Sequence, residues 1–143
     1  MKLARFIFFV FSMSGLAWAD LASNKEDPAA DKRAIRALDH AGKMLSNIRD
    51  NFAKTSLTGL KEQLAEFSAS MELTVDSLAA TGKSPAKSPN LFKKTEMQLR
   101  LYIRKLKTLE HDLNVEERPL ITPVITRLEE IQDNLVQGIM KKK

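Results

Sequence analysis

The chain has 143 residues, enough for one domain of ordinary size. It contains no Cys, which excludes disulfides, Cys-zinc sites, iron–sulfur clusters, covalent c-type haem and every Cys nucleophile. Two His, one Trp and one Tyr leave few side chains for chemistry, and the formal net charge is +5.

Residues 1–19 read as a secretory signal peptide. Lys2 and Arg5 give a short positive start, Phe6 to Leu16 an apolar run, and Ala17-Trp18-Ala19 a small-x-small cleavage pattern before Asp20. The run is too short to span a bilayer, which needs ~20 residues, so an uncleaved anchor is the lesser alternative. No Cys follows the cleavage site, which excludes a lipoprotein anchor. The expectation is cleavage after Ala19 and export to the periplasm or beyond, in a bacterium, with no transmembrane segment in the mature chain.

Cleavage would remove Lys2 and Arg5, lowering the basic count from 23 to 21 against 18 acids, a net +3. It would also remove Trp18 and four of the seven Phe, leaving Phe52, Phe67, Phe92 and Tyr102 as the aromatics. Aromatic cages and base-stacking platforms then have almost no material. The mixed-charge body argues against a nucleic-acid partner.

Residues 20–30 are polar, contain Pro28 and show no apolar period, so they are expected to form a mobile arm. The domain proper, 31–143, begins where Ala34, Leu38, Ala41, Leu45, Ile48 and Phe52 recur at steps of three and four, one face of a helix. Asp31 suits its start, as a cap or as a charge. The register breaks at 55–59, and Leu57, Leu60, Leu64, Phe67, Met71, Val75 and Leu78 form a second stripe. One long bent helix is the alternative across this break. Thr81-Gly82 should end the second helix, with Gly82 left-handed. Ser88 and Pro89 should cap and open the third.

The third helix carries Phe92, Leu99, Tyr102, Ile103, Leu106, Leu109 and Leu113 on one side, and Asn114 is its expected stop. Glu116 to Pro119 should open the last helix, which presents Ile121, Val124, Ile125, Leu128, Ile131, Leu135 and Ile139. Pro123 forces that helix to start near Thr122 or to bend early. Lys141 to Lys143 suit its negative end. No segment reads as a strand. The expected fold is all-α, an antiparallel four-helix bundle in up-down-up-down order. The alternative is a three-helix bundle with a long first helix.

Candidate chemistry is sparse. Thr81-Gly82-Lys83-Ser84 resembles the end of a P-loop, but Ser77 stands where a Gly is needed and a helix precedes it. His40 and Met44 share a face four residues apart, and His111 could complete an axial set for haem. A haem or metal carrier built on these three is therefore the second functional reading; a satisfied His and a packing Met is the plainer one. Asp39-His40 and Glu110-His111 are adjacent pairs, which do not face together as a di-metal bundle requires. No Gly-x-Ser-x-Gly occurs. No catalytic, metal or cofactor residue set can be named, so neither enzyme activity nor a cofactor is expected.

The least random feature is charge. Residues 83–107 hold eight basic residues (Lys83, Lys87, Lys93, Lys94, Arg100, Arg104, Lys105 and Lys107) against Glu96 alone. Lys93, Arg100, Arg104 and Lys107 fall within about 60° on a helical wheel. Residues 61–76 hold Glu62, Glu66, Glu72 and Asp76 against Lys61. The plain reading is two neighbouring helices of complementary sign. The functional reading is a ridge that docks an anionic partner: an acidic protein, a phospholipid headgroup or an envelope polymer. Met71 and its stripe suit either an internal core or a second copy of the chain.

Thr81 to Pro85, Ser88-Pro89, Phe92 to Lys94 with Glu96 and Arg100, and Gly138 to Lys142 together resemble a group of small exported bacterial proteins of unknown function. The resemblance covers the chain from Asp31 onward. It implies export and helices, and no activity. Helical periplasmic stress chaperones are a looser comparison, because Leu57-Thr58-Gly59-Leu60-Lys61 lacks the Gln of their Leu-Thr-x-x-Gln signature.

Overall fold

A computed structural model describes residues 29–51, 57–85 and 87–140. The expected leader (1–19), the arm as far as Pro28, Phe52 and Lys141 to Lys143 lie outside the described residues. Those described form four α-helices: α1 (Ala30–Asn51), α2 (Leu57–Ala80), α3 (Pro89–Asp112) and α4 (Thr122–Met140). A short 3-10 turn, Arg118–Leu120, precedes α4. No strand occurs among the described residues. α1 and α2 are separate helices lying against each other, not one long first helix.

Local chemistry sets the boundaries. α1 starts one residue before the expected point, so Asp31 lies inside its first turn. Its Oδ1 accepts from the Lys32 amide at 2.9 Å, and its charge sits at the positive helix end. α2 ends at Ala80, and Gly82 has φ +66°, the left-handed conformation that costs a Cβ-free residue nothing. Pro89 occupies the first position of α3, where a missing N–H needs no partner. Ser88 precedes it but makes no side-chain capping bond, contrary to expectation. Leu113 turns extended after Asp112 and closes α3.

Arg118 then covers the open end of α3. Its Nε donates to the Leu113 carbonyl at 3.2 Å and its Nη2 to the His111 carbonyl at 3.4 Å. Pro119 is absorbed by the 3-10 turn. Pro123 falls in the first turn of α4, where amides have no helical acceptor, so the helix starts at Thr122 and accommodates it.

Packing follows the stripes. The broadest interface joins α1 and α2; α3 packs on α4 and on α1, and α4 touches α2. The main core gathers Leu38, Leu45, Phe67, Leu99, Leu106 and Leu128 with their neighbours. Each such burial contributes on the order of 1.5–3 kcal/mol, which is what holds helices of this length in water. A smaller cluster joins Ala34 near the start of α1, Leu78 near the end of α2 and Phe92 near the start of α3. Leu135 and Ile139, near the end of α4, pack against it.

Two residues of the second stripe differ from expectation. Leu57 is 51% exposed, because it is the first residue of α2 and projects past the core. Val75 is only partly buried, at the edge. In their place α2 buries a second, polar line: Glu66, Ser70, Thr74 and Ser77. Small side chains there face the Ala-rich side of α1, where Ala34, Ala37 and Ala41 are buried. Arg33 of α1 donates from Nε to Ser77 Oγ at 3.0 Å, and Thr74 returns its hydroxyl to the Ser70 carbonyl at 2.8 Å.

Candidate functional site

α3 runs through the site. Its apolar stripe fixes its rotation, and that rotation places Lys93, Arg100, Arg104 and Lys107 in solvent. The four are not equivalent. Arg100 forks onto Glu96 one turn back, with Nη2 2.7 Å and 2.8 Å from the two carboxylate oxygens. Lys107 Nζ lies 3.8 Å from Glu129 Oε1 on α4. Lys93 and Arg104 form no ion pair among the described residues. Met97, 65% exposed, borders the strip.

Glu96 is buried, although a lone acid in a basic stretch reads as surface. It is four residues after Phe92 and three before Leu99, so it belongs to the apolar stripe by spacing. That spacing was the available signal. Gln132 of α4 donates to Glu96 Oε1 at 3.2 Å, so the carboxylate ties α3 to α4 as well as to Arg100.

The acids of α2 do not meet the basic strip. Glu66 is buried against α1, where His40 Nε2 lies 3.0 Å from its Oε1. Glu72 pairs with Arg127 of α4, whose Nη2 donates to Oε2 at 3.0 Å. That hydrogen bond, with the Arg127 charge, holds the Glu72 carboxyl below its ordinary range against the opposing effect of burial. Arg127, bonded to Glu72 and Glu130, is raised in turn. Glu62 and Asp76 face solvent. The expected pairing of α2 with α3 by sign is thus replaced by pairs from α2 to α1 and from α2 to α4.

The residues of the haem reading are placed apart. His40 is occupied by Glu66, and Met44 is buried in the core. His111 is 89% exposed in the last turn of α3. It lies nine residues, about two and a half turns, beyond Tyr102, the residue of α3 that bonds to α1 at Leu38. Among the described residues, no three His, Asp or Glu side chains gather as a metal would require.

A polar lock lies at the centre. Tyr102 donates its hydroxyl to the Leu38 carbonyl at 2.8 Å and meets Phe67 edge-on, ring centres 6.0 Å apart. Burial, with the nearby Asp39 charge, pushes the Tyr102 hydroxyl up to about 12.

Two hollows flank the start of α3. One is an apolar cleft of ≈ 350 Å³ between α2, α4 and the connection before α3, lined in part by Leu78, Ala79, Phe92 and Leu135. The other, ≈ 490 Å³, is lined by Lys83, Lys87 and Lys94 with Asp31 and the first residues of α3. Spacing along the chain does not group these lysines; the turn at Gly82 brings them together. No helix among the described residues is long and apolar enough to cross a membrane. No protein-family model, curated protein or solved structure matches this chain.

Proposed function

We propose that this is a non-enzymatic exported protein that binds an anionic macromolecule of the cell envelope through the exposed basic strip of α3. The observation that carries the reading is the state of Lys93 and Arg104. Both are in solvent on one face of α3, Arg104 about one turn from Arg100 and Lys107 and Lys93 about two turns before Arg100, and neither is neutralised by a neighbour. A cation without an internal partner keeps its full attraction for an outside anion. Export rests on the leader pattern of residues 1–19, with cleavage after Ala19.

The same reading takes the helices as an up-down-up-down bundle. Its support is the cluster that joins the starts of α1 and α3 to the ends of α2 and α4. Such a frame holds the strip rigid, which lowers the entropy lost on docking.

The test reverses the two unpaired cations. Lys93→Glu with Arg104→Glu should abolish capture of the anionic partner from envelope extract, with the helical circular-dichroism spectrum unchanged. Capture equal to that of the unaltered protein would remove the strip from the account. Arg100 is left in place because it covers Glu96.

A further inference from the structure

The apolar cleft and the lysine hollow share one residue, Lys83, which lines both. The cleft lies on one side of it, with aliphatic and aromatic walls and a polar lining of Lys83, Arg127 and Asn134. Arg127 is already held by Glu72 and Glu130. Lys83 is therefore the cation left for a ligand there, and it forms no ion pair among the described residues. On its other side Lys87 and Lys94 add positive charge, opposed by Asp31. The local sum is +2, three lysines against one carboxylate.

We propose that the two hollows form one binding site for a small amphiphile, a single acyl chain with an anionic head. The chain fills the cleft and the head meets Lys83, Lys87 and Lys94. The match is one of charge and polarity: an apolar slot and a cationic basin that share one lysine in their linings. The cleft volume is at the small end for ligand sites, which suits one chain rather than a two-chain lipid. Gly138 shapes the slot. A Cβ there would come within 3.1 Å of Pro85 Cγ, so glycine is what lets the connection settle against α4 and wall the cleft. This site is independent of the α3 strip.

The experiment titrates the purified protein with laurate, with lauroyl lysophosphatidate and with dodecanol, all below micellar concentration, by calorimetry. The two anions should bind one per chain, and dodecanol about tenfold or more weaker. Lys83→Glu with Lys87→Glu should weaken both anions about tenfold while leaving dodecanol unchanged. Ala79→Phe, which fills the slot, should weaken all three. Arg104→Glu, about three turns further along α3, should change none of them, which separates this site from the strip. Absence of anion binding, or anion binding indifferent to the lysine reversals, would overturn the proposal. The lysine reversals lie in an exposed connection and decide the matter even if Ala79→Phe fails to fold. Preference for lysophosphatidate over laurate would identify a phosphate head, the reverse a carboxylate.

Discussion

Tyr102 closes over Gly42. A Cβ at Gly42 would lie 2.5 Å from the Tyr102 hydroxyl oxygen, so the glycine is the space in which the hydroxyl reaches Leu38. Gly42→Ala would ordinarily strengthen a helix by up to about 1 kcal/mol. Here the overlap reverses the sign, and a loss of about 1–3 kcal/mol is expected. Tyr102→Phe alone should lose about 0.5–1.5 kcal/mol with its hydrogen bond. The double variant removes the clashing atom, so its loss should be smaller than the sum of the two. Urea unfolding of all four proteins checks this; strict additivity would show that the contact is not as tight as described.

The same hydroxyl gives a pH dependence. Its folded value, about 12, is above the ordinary 10 of an unfolded chain. The fold thus favours the protonated form, and the associated stability is complete below pH 10. It is lost as pH rises from about 10 to about 12, by on the order of 2–3 kcal/mol. Tyr102→Phe should lack this part of the alkaline loss. Parallel alkaline unfolding curves for the two proteins would count against it.

His40 and Glu66 should behave as a coupled pair. Both side chains are nearly inaccessible, at 11% and 6% exposure. Truncating one leaves the other buried with a polar group unmatched, so His40→Ala or Glu66→Ala should each lose about 1–3 kcal/mol. Replacing both by Leu should lose less than the two single losses combined. Chemical denaturation of the set measures the coupling.

Arg100 and Arg104, one turn apart on α3, should separate stability from docking. Arg100→Ala strips the forked partner from buried Glu96 and should lower stability by about 1–3 kcal/mol. Arg104→Ala touches no such group and should stay within about 0.5 kcal/mol of the parent. Thermal melts of the two variants distinguish them directly.

The helices were legible because apolar residues recur at three and four and because glycine and proline stand where helices must end or begin. Gly82 and Pro89 fall where that chemistry puts them. The polar interior was harder to read. Glu66, Ser70, Thr74 and Ser77 are spaced like a stripe, but charged and hydroxyl side chains are ordinarily surface, and only the Ala-rich face of α1 makes their burial possible. The strip of α3 was legible as exposure, since it follows from the rotation of an apolar stripe. The grouping of Lys83 and Lys87 with Lys94 depends on a turn whose direction no local pattern encodes.

The pattern of helix contacts bears on how the chain reaches this state. α1 meets α2 and α3 meets α4, each with its neighbour in sequence, and these are the broadest interfaces. Contacts close in sequence form quickly, because little chain must be confined to make them. Two half-molecules can therefore assemble early and separately. They are joined by contacts distant in sequence, the Tyr102 hydroxyl on an oxygen 64 positions upstream and Arg127 on Glu72 among them, and folding speed should respond most to damage at that seam.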